Sequence, residues 1–302
     1  MKSICYRLLF LISFILLHLS LYAQDDMDKL LDEIQPTTNY SSAGFKTTRV
    51  INGHSFENVA AGVLDAKISH RFGFLSGGPY EAFGLDQATI RIGLDYGITK
   101  RLMVGIGRSS YQKTVDGFAK YKLLRQSSGK RKMPVTLSLV STMAIKTTHW
   151  GNPERVNYFT SRLFYTHQLI VGRKFSEVFS LQLMPSFVHR NIIDSTKFKN
   201  DIYAIGIAGR IKLSKRMAVI GEYYYVLPNQ ISPLYKNSAA IGFEIETGGH
   251  VFQLHFTNST AMNEKGFITE TTGDPLKGDI HFGFNISRVF TIYNRQYKTI
   301  SK

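Results

Sequence analysis

From about Ala43 almost to its end, this chain alternates apolar and polar residues one by one, a period of two that only extended strands sustain. The clearest stretch is 88–96, where Ala88, Ile90, Ile92, Leu94 and Tyr96 point one way and Thr89, Arg91, Gly93 and Asp95 the other. Leu64, Ala66, Ile68 and Phe72 alternate with Asp65, Lys67, Ser69 and Arg71 in the same manner, interrupted only by His70. The theme recurs over 102–108, 121–125, 134–146, 158–171, 178–189, 203–213, 218–225, 238–247, 251–257 and 280–287. With 43–51 this makes about thirteen candidate strands and no helix between them, which excludes a parallel α/β fold.

Tight links such as 97–100 and 213–216 alternate with long polar ones such as 147–157, 228–237 and 258–278. Short turns at one end and long loops at the other are the habit of membrane barrels. Many of the segments approach the ~9 to 11 residues that a tilted strand needs to cross a bilayer. Their polar faces carry Gly, Thr, Ser, Arg and Lys, and aromatics such as Phe72, Tyr96, Phe175, Phe179, Tyr203 and Phe290 gather near strand ends, as interfacial girdles do. Barrels of this kind favour an even strand number, so one of the thirteen is surplus, either 43–51 or the short 121–125. The expected fold is therefore all-β, a closed antiparallel up-and-down transmembrane β-barrel of about twelve strands with a short N-terminal helix. A soluble periplasmic ligand-binding barrel is the alternative, and it requires the opposite faces: apolar inward, charged outward.

The one long apolar run, 8–21, follows Lys2 and Arg7 and ends in Leu21-Tyr22-Ala23-Gln24. That is the layout of a signal peptide cleaved after Ala23, and the run is shorter than the ~20 residues of a comfortable transmembrane helix. The expected organisation is 1–23 signal peptide, 24–41 acidic helix and linker, 42–290 barrel, and 291–302 basic tail, with the mature chain in the bacterial outer membrane. Cys5 is the only cysteine. It leaves with the signal, so zinc–thiolate sites and thiol catalysis go with it. With Lys2 and Arg7 gone from the 37 basic residues, 35 face 22 acidic ones, a formal charge of +13. The cations are spread over strands rather than gathered on a helix or arm, so nucleic acid is not expected. Outer-membrane lipid, lipopolysaccharide or a small anionic solute is the better-placed partner.

In 25–35, Met27, Leu30, Leu31 and Ile34 fall on one helical face, and Pro36 stops the helix. Asp25, Asp26, Asp28, Asp32 and Glu33 against Lys29 give this segment a charge of −4 on an otherwise basic chain. It is a candidate plug for a basic lumen, and unchanged conductance after deleting 24–36 would remove that idea.

A charge facing hydrocarbon costs several kcal/mol. Asp65, Lys67, Arg71, Arg91, Asp95, Arg108, Lys120 and Lys122 are therefore expected to face the lumen. There they either form a constriction that selects anions or pair with one another and fill a narrow barrel. No catalytic residue, metal or cofactor is assigned. His250 and His255, five apart on a strand, point to opposite faces, and Ser109, Ser110, Asp86 and His70 lack the Gly-x-Ser-x-Gly elbow of a hydrolase. A non-enzymatic barrel, a narrow pore or a structural or docking element, is the first expectation. A lipid-acting outer-membrane enzyme is the alternative.

The run Gly44-Phe45-Lys46-Thr47-Thr48-Arg49-Val50-Ile51-Asn52-Gly53-His54-Ser55 resembles a known family. So do Ile68-Ser69-His70-Arg71-Phe72-Gly73, Phe83-Gly84-Leu85-Asp86-Gln87-Ala88-Thr89-Ile90-Arg91, Leu94-Asp95-Tyr96-Gly97 and Gly105-Ile106-Gly107-Arg108-Ser109-Ser110. The family is that of Bacteroidota outer-membrane-type β-barrel proteins, classed as a domain of unknown function. The resemblance implies fold and location and brings no substrate.

Overall fold

The computed structural model describes residues 37–151, 153, 154, 156–192 and 198–293. The expected signal peptide, the acidic helix with Asp25, Asp26, Asp28, Asp32 and Glu33, and the tail beyond 293 lie outside the described residues. The chain divides into a small unit, 1–39 with 128–132, and a large one, 40–127 with 133–302.

The large unit is a closed antiparallel barrel of twelve strands. They are β1 (Val63–Phe74), β2 (Ala88–Gly97), β3 (Leu102–Ser109), β4 (Thr114–Leu124), β5 (Thr136–Lys146), β6 (Leu163–Lys174), β7 (Phe179–Arg190), β8 (Asp201–Lys212), β9 (Met217–Val226), β10 (Ser238–Thr247), β11 (His250–Thr257) and β12 (His281–Thr291). Each pairs with its neighbours in sequence, and β12 returns to β1 with Thr291 opposite Val63. The segment expected at 121–125 proves to be the end of the longer β4.

At one end four of the five links between strands are tight turns, and three of these share a device. The hydroxyl at the second turn position accepts two backbone N–H groups: Thr99 from Arg101 and Leu102, Ser176 from Val178 and Phe179, Ser214 from Arg216 and Met217. A short hydroxyl side chain can fold back on its own backbone in this way, which is why these positions turn. The other end carries the long loops, except for the short link between β3 and β4.

The faces divide by environment. Ile68, Ile92, Leu94, Ile106, Leu139, Leu183, Ile207, Ile241 and Phe243 point outward and are exposed, while Asp65, Lys67, Arg71, Arg91 and Asp95 are buried inside. A barrel dissolved in water would reverse this, so the soluble alternative falls. Ile241, mid-strand on β10 and 60% exposed, tests the outer face. Ile241→Arg is expected to cost ~2–4 kcal/mol in lipid bilayers, read by urea unfolding of the reconstituted protein.

Residues 43–51 are not a strand. With β12 closed on β1, the wall offers no free edge for a thirteenth strand. The segment instead enters the lumen from the tight-turn end and makes a single isolated bridge between Arg49 and His54. It returns through Gly62, whose φ of 79° admits the turn into β1 at low strain.

Candidate functional site

The site is the interior, which two chain segments fill. Residues 44–56 form an irregular hairpin closed by Val50 N–H donating to Gly53 O at 2.8 Å and Ser55 N–H to Thr48 O at 3.0 Å. From the long-loop end, 258–271 fold inward around a short helix α1 (Glu264–Thr269), all six residues buried. Asn263 caps it, its side chain accepting from Gly266 N–H at 2.9 Å.

Barrel side chains hold the hairpin by its backbone. The Glu222 carboxylate on β9 accepts N–H bonds from Asn52 at 2.7 Å and Gly53 at 3.1 Å. Gln253 on β11 donates to Val50 O at 2.7 Å, and Asn285 on β12 to Ile51 O at 3.0 Å. Gln182 on β7 donates to His54 O at 2.7 Å and accepts from Phe56 N–H at 2.9 Å. Lys120 on β4 donates to the carbonyls of Ser55 and Glu57 at 3.0 and 2.5 Å. A buried backbone group without a partner costs about as much as a lost hydrogen bond, so these amide and carboxylate groups replace the ladder the hairpin lacks. Gly53 allows the close approach, since a methyl there would overlap the Tyr224 hydroxyl.

The lumen has two unlike walls. On β5 to β9, Val140, Ile170, Met184, Val188, Ile220 and Tyr224 receive Phe45, Val50, Ile51 and Phe56 of the hairpin and Phe267 and Ile268 of α1 in one apolar cluster. On β1 to β4 the wall is charged. Lys67 Nζ lies 3.1 Å from Asp65 and 2.5 Å from Asp95, which also accepts Thr48 Oγ1 of the hairpin at 2.8 Å. Arg91 and Asp116 form a buried ion pair, with Nε to Oδ1 at 2.9 Å.

Hairpin and helix are also joined by a buried ion pair. Arg49 Nη1 lies 2.7 Å from Glu264 Oε1, both side chains buried, and His54 Nε2 is 3.3 Å from the same oxygen. Burial, then the cations Arg49 and Lys120, hold the His54 imidazole well below its usual value, so it approaches Glu264 as a neutral ring. Arg49 Nε and Nη2, both His54 ring nitrogens and Glu264 Oε2 are buried without a hydrogen-bond partner among the described residues. Each such group costs about 1–3 kcal/mol, so this junction is a weak point of the packing.

Of the residues expected inside, Asp65, Lys67, Arg71, Arg91, Asp95, Lys120 and Lys122 are all buried there. Arg71 reaches Asn52 Oδ1 at 2.8 Å and Asn285 Oδ1 at 3.1 Å, and Lys122 lies 3.8 Å from Glu57. Arg108 is a correction. On β3, Met103, Gly105, Gly107 and Ser109 are the inward set, and Arg108 follows Leu102, Val104 and Ile106 on the outer face. Its place one residue from the long-loop end lets a long side chain carry its charge to the interface.

Sequence reasoning missed Asp116, Gln182, Glu222, Gln253, Asn285 and Glu264. For Gln182, Gln253 and Asn285 the signal is a polar residue flanked by apolar neighbours on a strand, as in Leu181-Gln182-Leu183 and Phe252-Gln253-Leu254. A cavity of about 240 Å³ remains at the tight-turn end, lined by Lys46, Glu57, Asp65, Glu246 and His250 among others, with Lys46 paired to Glu246 at 2.8 Å. Among the described residues no group of three or more His, Cys, Asp or Glu side chains is gathered for a metal.

A family model described as a membrane bound beta barrel domain (DUF5777) matches residues 45–290, hairpin included. No curated protein matches the sequence. Among solved structures, the chain is similar to the NanC porin at 7% identity and a TM-score of 0.45, over 76% of this chain and 98% of that one. For an outer membrane channel from Pseudomonas putida F1 the values are 12%, 0.42, 78% and 98%. For the outer membrane protein Omp33 of Acinetobacter baumannii they are 9%, 0.39, 75% and 97%.

Proposed function

The chain belongs to the membrane bound beta barrel domain family (DUF5777), and from that premise we propose that it is an outer-membrane channel held shut by its own residues 44–58. The carrying observation is the character of the hold. Glu222, Gln182, Gln253, Asn285 and Lys120 bind the hairpin by exchangeable hydrogen bonds to its backbone, groups that water satisfies equally well on release.

The solute class follows from what release uncovers. Arg71, Lys120 and Lys122 lose hairpin partners, as do the acids Glu222, Glu246 and Glu264, while Asp65, Asp95, Asp116 and Glu244 keep cationic partners on the wall itself. Among the described residues that stay in place, eight buried cations face six buried acids, so the opened passage is net cationic and suits small anions. A permanently filled structural barrel is the second reading, favoured by the wall-to-wall pairs Arg91–Asp116 and Arg210–Glu244, which need no hairpin.

Planar-bilayer recording separates the two. The intact protein is expected to be mostly closed, and Glu222→Ala with Gln253→Ala to show frequent openings with anions permeating several-fold faster than cations. Silent recordings from that folded variant would favour the structural reading.

A further inference from the structure

The outer wall should contain nothing that hydrocarbon cannot satisfy, and β5 to β7 break that rule twice. Ser141 is the central residue of β5 and points outward, opposite His167 on β6. Ser141 Oγ and His167 Nδ1 share a hydrogen bond at 3.0 Å, which leaves His167 Nε2 with no side-chain partner among the described residues. The Phe187 ring of β7 lies beside the imidazole, 6.2 Å away and 12° from parallel. Polar side chains facing lipid are costly unless something covers them.

The second break is in the backbone. Pro185 stands seventh of twelve residues in β7. Its pairing with Ile205 on β8 is kept. On the other side, the ladder between β6 and β7 runs to Gln168 opposite Ser186, lapses, and resumes at Val171 opposite Leu183 in the same register. The lost pairs, Leu169 with Pro185 and Ile170 with Met184, are those that an N–H on residue 185 would complete. Proline has none, and mid-sheet proline is rare for this reason. The Leu169 carbonyl is thus left without its ladder donor inside a membrane wall, where every backbone group needs a partner.

Two independent defects on adjoining strands mark a surface that another protein covers, and we infer that it is a second copy of this chain, docked through β5, β6 and β7. The hydrogen-bonding groups favour a self-complementary contact. A serine hydroxyl and an imidazole each donate and accept, so a twofold axis beside His167 pairs the patch with its own image and no different chemistry is required. Around it Leu139, Met143, Leu169 and Leu183 offer exposed apolar area for the rest of the contact. A partner at this depth must itself span the membrane without unsatisfied backbone, which another barrel does.

Single-cysteine cross-linking in native membranes tests this, with Cys5, the one natural cysteine, replaced by serine. Under mild oxidation Ser141→Cys is expected to give a covalent dimer, and Leu254→Cys, on β11 across the barrel, none. In a Met143→Cys reporter, adding His167→Leu should lower the dimer yield about fivefold, while the heat-dependent gel shift shows that the barrel still folds. Absence of dimer at position 141, equal dimer at 254, or a yield unmoved by His167→Leu would overturn the inference. So would hydrolysis of lipid esters by the detergent monomer that Ser141→Ala abolishes, since the pair would then be a catalytic site. None of these outcomes depends on whether the barrel conducts.

Discussion

A chain lacking residues 44–58 is expected to conduct steadily across a planar bilayer under conditions where the intact protein is closed. The deletion removes Phe45, Val50, Ile51 and Phe56 from the apolar wall and every hairpin acceptor from Arg71 and Lys120. The twelve-strand ladder contains none of these residues, so the heat-dependent gel shift should survive. Burial of the four apolar side chains gives up roughly 6–12 kcal/mol gross. The deletion also removes the entropy cost of ordering that segment, which opposes the loss. The loss is therefore expected to appear mainly as permeability rather than as unfolding. The inserted loop 258–271 remains, so the passage should be narrow, and its current should favour chloride over potassium. A folded deletion variant with no current would place the seal in α1 and the wall, and would sink the hairpin as the closing element.

The largest stability effect is expected at Asp116. Asp116→Ala leaves the Arg91 guanidinium buried in the wall with its bidentate partner gone. Removing one partner of a buried pair typically costs 3–5 kcal/mol, because the remaining charge is uncompensated. Urea unfolding in lipid vesicles should show a loss of about that size. Asp116→Asn, which keeps an acceptor, should lose less, and joint replacement of Arg91 by Met and Asp116 by Leu should recover most of it. A loss below about 1 kcal/mol for Asp116→Ala would mean that water or Glu264 already shares the charge.

Much of the wall was legible because alternation is a local property. β2 can be read residue by residue, since Ile90, Ile92 and Leu94 differ sharply from Arg91, Gly93 and Asp95. β4 resisted because its inward set, Thr114, Asp116, Phe118, Lys120 and Lys122, carries a phenylalanine among charges while Gly117 and Ala119 face outward. The contrast falls below what a period can reveal, and Asp116 was lost with it. On β8 and β9 the obstacle is different. Ile202, Ala204, Ile220 and Tyr224 make the inner face nearly as apolar as the outer, which is how a strand reads when both its faces are covered. That was the available sign that something fills the lumen.

What fills it could not be read from pattern alone. Residues 43–51 alternate well enough to pass for a strand, and only closure of the ring elsewhere denies them an edge. The basic lumen suggested an acidic plug, and charge directed attention to 25–35. The hairpin that occupies the lumen carries Lys46 and Arg49 and is gripped through its amides and carbonyls, which a charge count cannot see. Arg108 was misplaced by the same economy: a charge was assumed to need the inside, whereas a rim position lets its side chain escape.

The return of β12 to β1 also dictates an order of events. The hairpin precedes β1 in the chain, yet its tip is gripped by Glu222, Gln253 and Asn285, on strands β9, β11 and β12. Those grips do not exist until nearly the whole polypeptide has been laid down. The earliest part of the barrel domain is thus among the last to find its place, since its grips exist only once the sheet runs round to the seam from Val63 to Thr291. Slow, long-range closure of this kind is costly in loop entropy, and the contents of the wall depend on it as much as the wall does.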